Sequence, residues 1–135
     1  MDNFVGKWEQ SDAEPTNFDA FLDATGLPEE ARAKLKAARI TVEYVKDGDS
    51  WKIITTSGSH SKTSVLQIGV PYQSTDLLGR KFTNVVTMDG PNKMKQTCTE
   101  WAESTIETES VLSGDTITLT CTTKGVSTIS VFKRA

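Results

Sequence analysis

The sequence predicts an all-β protein: a ten-stranded antiparallel up-and-down β-barrel with a helix-turn-helix lid after the first strand. Three observations predict it. The chain opens on Phe4-Val5-Gly6-Lys7-Trp8. A Gly-x-Trp heading a first strand suits a barrel whose ends meet, because the Gly lets backbone pass close and the Trp plugs one end. Two short stretches of helical spacing come next. From Ile40 onward the period switches to two, and short runs are punctuated by tight turns. A barrel of that many strands is too wide for its own side chains to fill, so it should enclose a cavity.

The elements follow in order. Gly6 and Trp8 should close the end far from the helices. Asn17-Phe18-Asp19-Ala20-Phe21-Leu22 follows Pro15-Thr16 and stops at Gly26. Phe18, Phe21 and Leu22 make its apolar face. The second helix begins at Pro28, with Glu29 and Glu30 in its first turn and Lys34, Lys36 and Arg39 toward its end, the charge order the helix dipole favours. Its apolar face, Ala31, Leu35 and Ala38, is thin, so it should pack loosely and move. Ile40, Val42 and Tyr44 then alternate with Thr41 and Glu43 up to a hairpin turn at Asp47-Gly48-Asp49. Trp51, Ile53 and Thr55 alternate on the next strand. Further turns fall at Gly58, Gly69-Val70-Pro71, Leu78-Gly79, Asp89-Gly90-Pro91-Asn92, Ser113-Gly114-Asp115 and Lys124-Gly125. The clearest strand runs from Thr116 to Thr123, with Ile117, Leu119 and Cys121 on one face and threonines on the other. Even spacing and tight turns read as a closed meander.

The 135 residues make a single domain over 1–135 with enough chain for a proper core. A net charge of −3 argues against a nucleic-acid partner, which needs a basic face. No run approaches a membrane span, and the N-terminus lacks a basic-then-apolar leader. Cys98 and Cys121 should lie on opposite faces and remain free thiols, as in a cytoplasmic protein. No His/Cys/Asp cluster has metal-ligand spacing, so no metal or cofactor is expected. Lone His60, beside Gly58, has no triad partner and reads as a surface residue. Glu103, Glu107 and Glu109 read as exterior charges.

Two helices inserted after the first strand of a ten-stranded meander resemble the intracellular lipid-binding proteins, the fatty-acid- and retinoid-binding family of the calycin type. The resemblance covers the whole chain. Phe4-Val5-Gly6-Lys7-Trp8 with Asn17-Phe18-Asp19-x-Phe21-Leu22 is similar to that family's N-terminal signature. Asp47-Gly48-Asp49, Trp101 and the tail from Lys124 to Ala135 resemble it too. Two departures stand early. Gln10 sits where the signature has an aliphatic residue. The Trp8–Asn17 gap runs about two residues longer than is usual in the family, which puts Ala13-Glu14-Pro15 in a bulged connection. Members that bind fatty acids usually grip the carboxylate with two arginines and a tyrosine. The matching positions here hold Ser110, Ser130 and Phe132.

Parity reads the inner wall independently. Ile106, Thr108 and Ser110 face in, opposite Glu107 and Glu109. Thr99 and Trp101 share the inward face, and Phe82, Asn84 and Val86 face in. On the last strand, apolar alternation would turn Ile129 and Val131 inward, whereas the resemblance turns Ser130 and Phe132 inward; the second is adopted. The wall is then apolar with hydroxyls at Thr55, Ser57, Thr99, Thr108, Ser110 and Ser130, and carries no Lys or Arg. The residues expected to bind ligand are Phe18, Phe21, Leu22, Leu35, Ile40, Ile53, Thr55, Leu77, Thr99, Ser110, Leu119, Cys121, Ser130 and Phe132. A buried unpaired carboxylate is costly. A neutral or weakly polar lipid such as an alcohol, retinoid, sterol or pigment therefore fits, and so does a fatty acid with its head at the portal, through water and Arg39. The portal should lie between the second helix and the turns near Gly58-Ser59 and Leu77-Leu78. The resemblance implies a monomeric, non-enzymatic carrier, with transient membrane contact through Lys34, Lys36 and Arg39. Two other classes stay open: an isomerase-like enzyme using Cys121, and a protein-interaction module with an empty barrel.

Overall fold

The computed structural model describes residues 2–11, 15–37, 39–75, 79–100 and 105–135. After a short 3-10 turn, Asp2–Phe4, strand β1 spans Gly6–Gln10. Helices α1 (Phe18–Thr25) and α2 (Glu29–Ala37) follow. Nine more strands complete the chain: β2 Thr41–Asp47, β3 Ser50–Ser57, β4 His60–Leu66, β5 Tyr72–Thr75, β6 Lys81–Met88, β7 Lys93–Thr99, β8 Ile106–Ser113, β9 Thr116–Thr123 and β10 Val126–Arg134. They form one antiparallel sheet in the order β4-β3-β2-β1-β10-β9-β8-β7-β6-β5. The ends of the chain meet as expected: Trp8 lies opposite Arg134 on β10 and opposite Val42 on β2.

The hairpins follow from the turn residues. Asp47 pairs with Ser50 across Gly48-Asp49, and Ser113 with Thr116 across Gly114-Asp115. Thr123 pairs with Val126 across Lys124-Gly125, whose φ values are 49° and 77°. Two positive φ angles in a two-residue loop match the twist of the strands it joins.

The meander is not closed by a full ladder, contrary to expectation. β4 and β5 sit at the two ends of the strand order and share no ladder. A hydroxyl pair, Ser64 Oγ with Ser74 Oγ at 2.8 Å, bridges them instead. β5 has four residues, so it offers little backbone for pairing.

The core sits mainly at one end. Phe4, Trp8, Tyr44, Trp51, Leu66, Val86, Met94, Ile117 and Phe132 form its buried cluster. Trp8 is fully buried, its Nε1 donates to the Phe4 carbonyl at 2.9 Å, and the Arg134 guanidinium lies 4.2 Å from its ring centre. The helices occupy the other end. α1 stops where Gly26 takes φ 71°. It is tied to the start of β10 by Asn17 Nδ2 donating to the Ser127 carbonyl and by Thr128 Oγ1 donating to the Thr16 carbonyl. Phe21 and Leu22 bury against Ile106, with Phe18, Leu35, Cys98, Cys121 and Val126 packed around them. Ala31 is the buried residue of α2. Ala13, Glu14 and Ala38 lie outside the described residues, and so do Leu77, Leu78, Trp101 and Glu103.

Candidate functional site

A cavity of about 330 Å³ lies inside the barrel. Ladder register builds its wall, because directly opposed residues share a face. Trp8, Val42 and Thr55 form one row across β1, β2 and β3; Tyr44, Ile53 and Ser64 form another across β2, β3 and β4. On the far side Ile117 opposes Phe132, and Cys121 opposes Thr108. β5, β6 and β7 add Tyr72, Phe82, Asn84, Gln96 and Cys98; Ile40 and Leu119 complete the lining. No Lys, Arg, Asp or Glu is among these residues.

The polar groups of the wall are neutral and partly connected. Asn84 Nδ2 donates to Tyr72 Oη at 3.0 Å and to Gln96 Oε1 at 2.8 Å. Gln96 Nε2 reaches Met94 Sδ at 3.6 Å. Thr108 Oγ1 reaches Cys121 Sγ at 3.6 Å. Asn84 Oδ1 and Ser110 Oγ are buried without a hydrogen-bond partner. Burial pushes the Cys121 thiol up, with the Thr108 hydrogen bond pulling weakly the other way. Burial also raises Tyr72, against the Asn84 hydrogen bond and with a smaller push from Cys98. Tyr44 is raised by burial first and then by Tyr72.

Of the residues singled out from sequence, Ile40, Ile53, Thr55, Leu119, Cys121 and Phe132 line this cavity. Phe18, Phe21, Leu22 and Leu35 do not line it; they sit in the helix-end cluster, which touches the wall at Cys98 and Cys121. Ser110 is fully buried, opposite Met94 and Leu119. Ser130 opposes Leu119, and Ile129 is 41% exposed, so the last strand turns Ser130 and Phe132 inward. Leu77 lies outside the described residues. Ser57, at the helix-side end of β3, opposes exposed His60.

Three expectations need correcting. Thr99 is expected inward with Trp101, but Gln96 and Cys98 line the cavity, so Thr99 faces out. Glu100 has φ 69°, and a left-handed residue breaks the alternation on which counting back from Trp101 relied. Cys98 consequently faces inward, like Cys121, not outward. The inner face is also not free of cations. Lys62 opposes Thr55 and so shares its face, although it is exposed at the helix-side rim. A long stem lets lysine hold inward parity while its ammonium stays in water. Sequence reasoning missed Tyr72, Gln96 and Ser64. The misread parity of β7 hid Gln96, the turn residues around short β5 hid Tyr72, and β4, polar on both faces from His60 to Ser64, gave no alternation to single out Ser64.

On the outer surface Lys34 pairs with Glu30, and Lys36 with Asp19 of α1. Arg39 is exposed; one of its Nη atoms donates to the Gln10 carbonyl at 3.4 Å. Among the described residues no group of His, Cys, Asp and Glu is placed to hold a metal ion, and no helix is long and apolar enough to cross a membrane.

Residues 2–134 match the family described as lipocalin / cytosolic fatty-acid binding protein. The chain belongs to that family. Among curated relatives, a liver fatty acid-binding protein of Sus scrofa is 35% identical over 132 residues, covering 98% of this chain and 95% of the relative. A fatty acid-binding protein of Tyrophagus putrescentiae is 34% identical over 128 residues, covering 95% and 93%. Among solved structures, a Schistosoma mansoni fatty acid binding protein in complex with arachidonic acid superposes with a TM-score of 0.90 at 28% identity, covering 100% of this chain and 98% of that one.

Proposed function

We propose that this chain is a non-enzymatic carrier that holds one long-chain lipid in the barrel and exchanges it at the helix end. The observation that carries the reading is the cavity itself. It is walled by aromatic and aliphatic side chains with a few neutral polar groups among them. Its relatives are named for fatty acid binding, and one was solved with arachidonic acid. Burial of the acyl chain would supply the driving force. Neither catalysis nor an empty interaction module is favoured. Cys121 has Thr108 as its polar neighbour, and among the described residues no imidazole or carboxylate lines the cavity to activate it. The two free thiols suit a reducing compartment, the cytosol.

Leu119→Trp tests this reading. Inserting bulk into a filled core costs roughly 1–3 kcal/mol of stability. If Leu119 faces usable space, the indole enters that space instead. The variant should unfold within a few degrees of the wild type but bind a fluorescent lipid probe at least about tenfold more weakly, or ~1.4 kcal/mol. Unchanged lipid affinity in a folded variant defeats the reading.

A further inference from the structure

One side of the cavity, on β5, β6 and β7, carries a polar group of three side chains that apolar burial alone does not account for. We propose that Tyr72, Asn84 and Gln96 are the head-group receptor of the cavity, and that they select a single-chain lipid with an uncharged head that both donates and accepts a hydrogen bond, a primary alcohol or a primary amide. The proposal rests on the reading that the cavity holds a lipid, and deepens it.

The geometry is built by the ladder. Tyr72 opposes Asn84 across β5 and β6, and Val86, two residues on, opposes Gln96 across β6 and β7. Asn84 is 5% exposed. Its Nδ2 serves both neighbours, Tyr72 Oη at 3.0 Å and Gln96 Oε1 at 2.8 Å. Its Oδ1 is buried without a partner. Flipping the Asn84 amide alone would set two carbonyl oxygens 2.8 Å apart, and Gln96 Nε2 is directed at Met94 Sδ, so in this arrangement Oδ1 is the atom left over. Tyr72 accepts from Asn84, which frees its own proton to donate to something else. Burial keeps that proton on the phenol at neutral pH.

The site thus offers one buried acceptor without a partner, Asn84 Oδ1, and one donor, the Tyr72 hydroxyl, whose oxygen lies 3.0 Å from the nitrogen of the same amide. An alcohol satisfies both with one oxygen. A primary amide satisfies both with its NH2 and carbonyl. A carboxylate only accepts; it would set its charge against Asn84 Oδ1 with no cation among the described residues of the lining. Where a site is built to hydrogen-bond a substrate hydroxyl, an analogue lacking it is rejected strongly, because the site's own group is left unpaired.

The test uses the full chain, delipidated, with 1-anilinonaphthalene-8-sulfonate as the displaced probe. Four ligands share one tail: 1-hexadecanol, hexadecanamide, hexadecyl methyl ether and palmitate at a pH where it is ionised. The ether accepts but cannot donate. Alcohol and amide should bind about tenfold tighter than the ether and than palmitate, the size of one net hydrogen bond. Asn84→Leu should bring alcohol and amide down to the level of the ether and leave the ether within about twofold. Tyr72→Phe, which keeps the ring, should weaken alcohol, amide and ether together; it decides the matter if Asn84→Leu does not fold. Equal affinity for alcohol and ether in the wild type overturns the proposal. So does a preference for palmitate, or a preference for the alcohol that survives Asn84→Leu. Failure of all four ligands to displace the probe would remove the carrier reading as well, and that result is distinct from the others.

Discussion

At the Trp8 end of the barrel, aromatic rings, a buried hydrogen bond and a guanidinium converge on one side chain. Phe4 meets Tyr44 edge-on at 6.0 Å between ring centres, and Arg134 covers the Trp8 ring while its Nη1 donates to the Val5 carbonyl at 3.2 Å. Gly6 is required there: its φ is 128°, and a Cβ on it would lie 2.8 Å from Arg134 Nη1. At the helix end, a smaller cluster around Phe21, Leu22 and Ile106 does the packing; α2 adds Leu35 to it and is joined to α1 by Arg32–Asp23 and Lys36–Asp19 ion pairs. Apolar packing in one place and solvated charge pairs in the other make different kinds of closure. The first is strong and permanent; the second is weak and reversible. A carrier needs both, because the ligand must exchange without the barrel unfolding.

The contrast is broken most severely at Trp8. Trp8→Ala removes a fully buried indole and should cost about 3–5 kcal/mol of unfolding free energy by chemical denaturation. Leu35→Ala, on half-exposed α2 packing, should cost only about 1 kcal/mol but speed lipid release in stopped-flow displacement. Equal costs at the two sites would mean that the ends are closed alike.

Cys121 sits where the cavity wall meets the helix-end cluster. Its thiol is raised by burial, so it holds less thiolate than a free cysteine at any given pH. In a Cys98→Ser background, its labelling by a disulfide reagent should be slow at pH 7, and its rate profile should be displaced to the alkaline side. Saturating lipid should slow it further. The linkage has the same sign. The folded thiol resists ionisation, so its contribution to stability is complete below the unfolded pKa and is lost as pH climbs from there toward the folded value. Labelling at the rate of a free thiol would show that the helices do not seal this wall.

The difference between the ends also explains what could be read from sequence. Gly6 and Trp8 announce the sealed end because one residue type is needed for close approach and one for bulk. Turns such as Gly48-Asp49 and Lys124-Gly125 set the register, and Ile117, Leu119 and Cys121 alternate cleanly against threonines. β10 is ambiguous by hydrophobicity because Ile129 and Val131 are as apolar as Phe132; the correspondence of the tail with the family resolves it. The helix side was less legible. A left-handed residue at Glu100 reverses the apparent face of β7, which exchanged Thr99 for Cys98 and concealed Gln96. Lys62 keeps inward parity at a solvated rim, where a rule that excludes charge from interiors does not apply. The β4–β5 opening leaves no trace in either strand's alternation, because a missing ladder is a property of two strands together.

The smallest effect on stability should come from the charge pairs that join the helices. Arg32 Nη1 meets Asp23 Oδ1, with the Asp23 side chain 72% exposed. Such a pair is worth roughly 0.2–1 kcal/mol, and Arg32 also keeps its Nε donation to the Leu27 carbonyl at 2.8 Å when Asp23 is neutralised. Asp23→Asn should therefore shift the unfolding free energy by less than about 1 kcal/mol. Its consequence should lie in exchange. With the α1–α2 junction loosened, lipid release should speed up about twofold at an ionic strength of ~0.01 M, where screening is weak. At ~1 M, where the Debye length is about 3 Å, wild type and variant should release lipid at similar rates, because salt has already weakened the pair that the mutation removes. A variant that loses more than ~2 kcal/mol, far beyond an exposed pair, would place Asp23 in the fixed part of the fold. Identical release rates at low salt would mean that the helices do not part to let the lipid through.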